Sequence, residues 1–238
     1  VSLGTYAMDF SKPGFGEELA TIDASHAAPV DGVMWDYGCA DISWVVPLKN
    51  VVVDWKTWRE GYALTRREIG RIAPGLRRFS ACNFLQEPGI CDALMVEGIG
   101  LFQGFTGAIP SAGLSPEEKL RASYLNAWNL ARAVPGTILL CQTGDARERR
   151  LLASMCLLTD CLFNHRNFVM LDRFANLRNI EHFELDVGPP QGPSWEYQPS
   201  VWRRNFSRGI VMVNLSTAPH NISPTLKLWP NDGIVMQT

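Results

Sequence analysis

The chain has 238 residues, of which 46% are hydrophobic and 19% are charged, so it can bury a sizeable core as one large domain with an appendage or as two small domains. Its formal net charge is −2 and its basic residues lie in short scattered groups, so we expect no nucleic acid partner. No apolar stretch approaches the roughly 20 residues needed to cross a bilayer, and we expect no membrane span.

Strand-like and helix-like segments alternate from Leu3 to about Asn164. This alternation is typical of parallel βαβ units. We predict six strands in this part of the chain, at about residues 4–9, 30–37, 76–83, 92–97, 137–142 and 159–163. Amphipathic helices are expected between most of these strands.

Two of the helices have clear signals at their ends. Ser115 is a candidate N-cap, Pro116 suits the first helical position, and the helix is expected to end near Ala133, just before Val-Pro-Gly. A second helix is predicted from Asp145, as its cap, to Leu158, with apolar residues spaced for one buried face.

The pattern changes after the segment rich in Pro and Gly at residues 188–193. Short strands are predicted there at residues 201–206, 209–215, 225–229 and 233–237, and Ser207-Arg208-Gly209 is a compact hairpin turn. We therefore predict two domains, an α/β domain over residues 1–187 and a small antiparallel β domain over residues 188–238.

Two similar segments carry the main functional signal. They read DGVMWD and DALMVE, and each is an apolar strand that ends in a carboxylate, Asp36 in the first and Glu97 in the second. Proteins built on parallel sheets have their catalytic residues at the carboxyl ends of the strands. Since glycosidic bonds are cleaved by a pair of carboxyl groups, the two acids suggest glycoside hydrolysis.

The segments DGVMWDYG, DALMVEGIG and VWRRNFSRGIVMVNLS resemble, in this order, (β/α)8-barrel glycoside hydrolases, including the group related to endo-polygalactosaminidases. YAMDFSKPGFGEEL at the start, and ERRLLASMCLL followed by ELDVGPPQGP, resemble further parts of that family. The resemblance implies a TIM-type barrel in which Asp36 ends the fourth strand and Glu97 the sixth. A complete barrel has eight strands, so the first two βα units are missing. Because the chain begins with Val1 and has no leader pattern, we expect a preceding segment or a protein partner to complete it.

The two acids are expected to divide the chemistry of hydrolysis. We assign Asp36 as nucleophile or base and Glu97 as proton donor, because the apolar residues that follow Glu97 would raise the pKa of its carboxyl group. The distance between the carboxyl groups would decide between retention and inversion, and the sequence leaves this open. In the alternative interpretation, each acid caps the next helix or pairs with an arginine.

Further residues at strand ends are candidate substrate contacts. Asp9, Asn83 and Gln142 could bond sugar hydroxyls, although loop capping explains each of them equally well. Tyr37 and Trp44 could stack on sugar rings, whereas alternation directs Trp35 toward the helix layer.

The remaining signals concern thiols, glycans and cofactors. The six cysteines form no CxxC pair, so we expect no metal site. No G-x-G-x-x-G or G-x-x-x-x-G-K-[ST] motif follows a strand, and we expect no cofactor. Three N-x-S triplets, at Asn205, Asn214 and Asn221, would accept glycans in a secretory pathway. Two hypotheses follow: a secreted enzyme that hydrolyses carbohydrate, or a non-catalytic descendant that serves as a structural or glycan-binding subunit.

Overall fold

The computed structural model describes residues 10, 12, 14–26, 31–35, 55–81, 90–99, 113–141, 145–165 and 186–238. The chain divides into two units, residues 1–93 and residues 94–238. The predicted domain boundary between residues 187 and 188 falls inside the second unit and stays a prediction. None of the described helices is long and apolar enough to cross a membrane.

The described residues of the first unit form two helices and two parallel strands. These elements are helix α1 (Phe15–His26), strand β1 (Gly32–Trp35), helix α2 (Trp55–Ile72) and strand β2 (Arg77–Ala81). The two helices pack against each other. The strands pair in parallel, with Gly32 opposite Arg77 and Trp35 opposite Ser80. Both strands lie inside segments that the sequence predicted, each shorter by a few residues.

An aromatic cluster forms the core of the first unit. Phe10, Trp58 and Tyr62 are buried, and Trp35 of β1 packs against them, with its ring centroid 5.9 Å from that of Phe10. Gly61 of α2 permits this packing, because a Cβ atom at that position would collide with the carbonyl oxygen of Phe10. Trp35 therefore faces the helices, as its alternation with Asp36 predicted.

The second unit opens with three strands and two helices. They are strand β3 (Ala93–Ile99), helix α3 (Pro116–Ala133), strand β4 (Ile138–Cys141), helix α4 (Ala146–Thr159) and strand β5 (Leu162–His165). Both predicted N-caps are confirmed: Ser115 and Glu118 form a reciprocal capping box, and Asp145 accepts hydrogen bonds from the backbone N–H groups of Arg147 and Glu148.

In the first unit β1 pairs with β2, and in the second unit β3 pairs with β4 and β4 with β5; all of these pairings are parallel. The structure thus confirms an α/β fold with parallel strands. A closed barrel is not confirmed by the described residues. The first predicted strand, at residues 4–9, lies outside the described residues.

The rest of the second unit is antiparallel. Its strands are β6 (Trp195–Gln198), β7 (Val201–Phe206), β8 (Gly209–Asn214), β9 (His220–Ser223), β10 (Leu226–Leu228) and β11 (Asp232–Gln237). Four of them form a sheet in the order β11-β8-β7-β6, and β9 pairs with β10. The predicted hairpin at Ser207 is confirmed by the pairing of Phe206 with Gly209. The sequence analysis missed β6 and β9, which have four residues each. β6 reads Trp-Glu-Tyr-Gln, an alternation of aromatic and polar residues that is a strand signal, whereas β9 is mostly polar.

Helix α4 packs against one face of this four-stranded sheet. Gly233 makes the close approach possible, since a Cβ atom there would lie 2.5 Å from the Ser154 hydroxyl oxygen and 2.7 Å from the Arg150 carbonyl oxygen. The Arg150 guanidinium also donates to both carboxylate oxygens of Asp232, at 3.2 and 3.0 Å. The antiparallel sheet is therefore attached firmly to the helix.

Candidate functional site

Glu97 lies near the carboxyl end of β3, where the sequence predicted it. Its neighbours Leu94 and Val96 are buried, while Glu97 itself is half-buried. The alternation of β3 therefore directs Glu97 away from the face that Val96 packs. This is the position at which parallel α/β sheets carry their chemistry.

The pairing of β3 with β4 is irregular at Glu97. Val96 is opposite Leu139 and Ile99 is opposite Cys141, so Glu97 and Gly98 together face a single residue of β4. This is the pattern of a β-bulge, which interrupts the ladder and redirects the side chain. Bulges are frequent beside active sites, and the sequence alone gave no sign of this one.

Most of the predicted site lies outside the described residues. This applies to the second catalytic candidate, Asp36, and to every predicted substrate contact: Asp9, Tyr37, Trp44, Asn83 and Gln142. The roles assigned to these residues stay predictions. Glu97 is the single member of the predicted site whose surroundings the described residues show.

A second carboxylate is buried beside β4, and the sequence analysis did not single it out. Glu148 of α4 is 4% exposed. The Tyr124 hydroxyl donates to its Oε2 at 3.1 Å, and the Cys141 thiol lies 3.9 Å from its Oε1. Burial and the charge of Glu148 raise the pKa of Tyr124 far above its ordinary value.

A sequence signal for Glu148 exists. It stands three and four residues before Leu151 and Leu152, on the stripe of α4 that the apolar residues define. An acid in that stripe must be buried with hydrogen-bond donors. Because Glu148 lies between α3, α4 and β4 and is almost fully covered, we interpret it as a packing residue and not as a group that reaches a substrate.

Arg78 and Asp92 form an ion pair at the other end of β3. Arg78 donates to Asp92 from its backbone N–H and from the Nε and Nη2 atoms of its guanidinium group, at 2.8 to 3.0 Å. These hydrogen bonds hold the pKa of Asp92 below its usual value. Asp92 precedes the strand, and residues at that end of parallel strands serve stability rather than catalysis. This pair is therefore structural.

Arg66 of α2 is fully buried behind β2. It donates to the carbonyl oxygens of Phe79 at 3.0 Å and Ile90 at 3.3 Å, and its guanidinium lies 4.5 Å from the centre of a Trp35 ring. The carbonyl oxygens and the ring face stabilise its charge. Trp35 is thus held in the core and cannot act as an open platform for a sugar.

The described cysteines are partly or fully covered by their surroundings. Cys141 and Cys156 are buried, and Cys91 and Cys161 are half-buried. Burial raises the pKa of Cys91, Cys156 and Cys161, so these thiols stay protonated near neutral pH. Among the described residues, no group of three or more His, Cys, Asp or Glu side chains could hold a metal ion.

The three N-x-S triplets differ in accessibility. Asn214 is completely buried, donates to the carbonyl oxygens of Ala218 and Leu228, and accepts from Ser216, so it cannot accept a glycan in the folded chain. The Asn205 side chain accepts a hydrogen bond from Arg203. Asn221 is exposed on β9 and is the most accessible acceptor of the three.

The comparisons with known proteins show a distant structural likeness. No protein family model and no curated protein matches the chain. Among solved structures, it is similar to the native form of the debranching enzyme of Nostoc punctiforme, with a TM-score of 0.44 and 13% sequence identity. The match covers 97% of this chain and 63% of the other, so this chain spans less than two thirds of that enzyme. A likeness at this level carries no argument about function.

Proposed function

We propose that this chain acts on carbohydrate as a glycoside hydrolase-like protein and that Asp36 and Glu97 are its catalytic pair. The observation that carries the proposal is the position of Glu97: half-buried, near the carboxyl end of a parallel strand, and at a bulge in the pairing with β4. The sequence resemblance to barrel glycoside hydrolases supports the same function. In this proposal, Glu97 donates a proton to the leaving oxygen, and Asp36 attacks the sugar or activates water.

Charge is a further reason to assign the proton to Glu97. On the face of β3 that alternation assigns to Glu97, Ala93 is buried and Met95 is half-buried. An apolar environment favours the neutral form of a carboxyl group, and a general acid must be protonated before it acts. Asp36 directly follows β1 and is proposed to remain ionised.

The test is a hydrolysis assay on a panel of oligosaccharides and polysaccharides that includes polymers of amino sugars. Release of reducing ends is measured for the full chain and for Glu97→Gln. We expect the substitution to lower kcat by about 100-fold to 10,000-fold, the usual contribution of a positioned general acid. The matched control is Glu117→Gln, at an exposed carboxylate in the first turn of α3, which should leave the rate unchanged.

The assignment would be wrong if Glu97→Gln kept the wild-type rate while the wild-type chain hydrolysed a substrate. Asp36→Asn is the second variant. If its rate of hydrolysis equals that of the wild-type chain, Asp36 is not a catalytic residue. The two variants separate the roles, because loss of a nucleophile can be rescued by a small external anion, whereas loss of the proton donor spares substrates with good leaving groups.

A second candidate function is a glycan-binding or structural subunit without catalysis. The observation that favours it is an exposed aromatic surface on the antiparallel sheet, where Trp195 and Tyr197 are 40% and 47% exposed. In either case we propose an extracellular or secretory location, where polymeric carbohydrates are found.

A further inference from the structure

Strand β6 presents aromatic side chains to solvent. All four of its residues are exposed, and Trp195 and Tyr197 leave 40% and 47% of their surface uncovered. Large exposed rings are costly in water and are common where a protein binds a ligand. β6 lies at the edge of the four-stranded sheet, so neighbouring strands cover it on one side only.

Arg203 places both rings on the same face of the sheet. Trp195 pairs directly with Arg203 on β7, and the guanidinium carbon of Arg203 lies 5.6 Å from the ring centre of Trp195 and 5.6 Å from that of Tyr197. We define Trp195, Tyr197 and Arg203 as the aromatic face. A cation within about 6 Å of two ring centres helps to hold both rings in position, and both residues remain exposed beside it.

Polar groups surround the aromatic face. The Nε atom of Arg203 donates to the Asn205 amide oxygen at 3.1 Å, and within the described part of the chain its terminal nitrogens make no further hydrogen bond. At the end of β6, Gln198 is bonded to His220 at 2.5 Å, and His220 to Ser216 at 3.1 Å. The face thus offers fixed rings beside hydrogen-bond donors that still have capacity.

The edge of β6 is poorly suited to pairing with another strand. Its register against β7 is irregular between Glu196 and Gln198, and such a bulge interrupts the row of backbone groups that an added strand needs. The Glu196 carboxylate bends back to accept from the Ser200 backbone N–H at 2.7 Å. The side chains are therefore the binding elements of this edge.

We propose that the aromatic face binds a saccharide chain away from any catalytic site. A pyranose ring has an apolar face, which stacks on Trp and Tyr rings, and hydroxyl groups at its edge, which the guanidinium of Arg203 and the amide of Asn205 can bond. Aromatic surfaces with a few placed polar groups are the usual composition of small-molecule sites. The proposal rests on the carbohydrate-directed function above but does not require hydrolysis.

The test is affinity electrophoresis of the full chain in gels that contain one polysaccharide each: amylose, a cellulose-type glucan, polygalacturonate or polygalactosamine. We expect at least one polymer to slow the wild-type chain, and Trp195→Ala with Tyr197→Ala to weaken that binding at least tenfold. Trp195→Phe should retain most of the binding. The matched control is Trp229→Ala, because Trp229 is 49% exposed and also lies near a cation, Lys227, but is outside β6.

Three results would each overturn the proposal. The first is that no polymer retards the wild-type chain, and the second is that Trp229→Ala weakens polymer binding as much as the β6 substitutions do. The third is that the wild-type chain self-associates, that Trp195→Ala converts it to a monomer, and that no sugar is bound.

The Glu97→Gln variant separates this proposal from hydrolysis. If Glu97→Gln binds the polymer as the wild-type chain does, and neither chain hydrolyses it, binding by the aromatic face is supported and the hydrolase function is wrong. If Glu97→Gln abolishes hydrolysis while Trp195→Ala leaves polymer binding unchanged, the hydrolase function is supported and the aromatic face is not the binding site.

Discussion

The two sheets of this protein keep their polar side chains in different places. In the parallel sheet, the arginines between α2 and β2 are fully engaged by neighbouring groups. Arg66 of α2 donates to the carbonyl oxygens of Phe79 and Ile90, and Arg78 of β2 donates to Asp92 and to the Arg66 carbonyl oxygen. In the antiparallel sheet, β7 carries Arg204 on the face toward α4 and Arg203 on the opposite face with the exposed aromatic rings.

The difference follows from how each sheet is covered. Helices cover the faces of a parallel sheet, so polar side chains on those faces bond to other groups of the protein. Ligands bind at the carboxyl ends of the strands instead. In the antiparallel sheet, α4 covers one face, and on the other face Val201 and Met212 are buried with Leu228 of β10. The exposed side chains of this sheet lie at its β6 edge. For this protein, chemistry is therefore expected at the end of β3, near Glu97, and recognition on the face of β6 and β7.

The largest effect is expected at Arg66. Arg66→Met leaves buried carbonyl oxygens of Phe79 and Ile90 without their donor, so we expect the free energy of unfolding to fall by about 3 kcal/mol. Urea unfolding of the full chain measures the change. The neighbouring exposed residue supplies the control, Arg67→Met, with a change below about 0.5 kcal/mol. Equal effects of the two substitutions would show that buried polar groups do not support the parallel sheet.

A smaller effect is expected at Arg204. Its guanidinium donates to the carbonyl oxygens of Gly192 and Leu157 and to the carboxylate of Asp160, which stands in the left-handed conformation at the end of α4. Arg204→Met should lower the free energy of unfolding by about 2 kcal/mol, since Asp160 itself remains hydrated.

Arg203→Met tests the opposite face of the same strand. Because Arg203 borders an exposed surface, we expect a change of less than about 0.5 kcal/mol in the free energy of unfolding, measured by the same urea titration. If Arg203→Met proved as destabilising as Arg204→Met, the aromatic face would be part of the core and the comparison between the two faces would fail.

The contribution of Asp92 to the stability of the fold is expected to depend on pH. Its pKa is lowered in the folded state by the Arg78 hydrogen bond, so the pair stabilises the fold above the unfolded pKa of about 3.9 and this stability is lost as the pH falls through the folded pKa. Asp92→Asn should cost about 1 kcal/mol at neutral pH, because the carboxylate is 42% exposed and screened by solvent.

Thermal unfolding between pH 2 and pH 7 measures this difference. The gap in stability between the wild-type chain and Asp92→Asn should narrow as the pH falls below about 4. A gap that stayed constant over this range would mean that Asp92 stabilises the end of β3 through packing alone.

The sequence alone determined most of the local structure. Ser115 and Asp145 identified the starts of α3 and α4, because the free N–H groups of a first turn require such acceptors. The apolar runs before Asp36 and Glu97 identified β1 and β3, and Ser207 marked the turn of a hairpin. These signals are short-range, so the residues that carry them lie within a few positions of the elements that they specify.

Only the tertiary structure decided what those elements do with their polar groups. Glu148 lies in an apolar stripe, and its burial beside Tyr124 depends on how α3 and α4 pack. The bulge at Glu97 depends on the register with β4, and the aromatic face depends on β7 bringing Arg203 opposite Trp195. Such contacts join residues that are distant in the chain, and no local pattern encodes them.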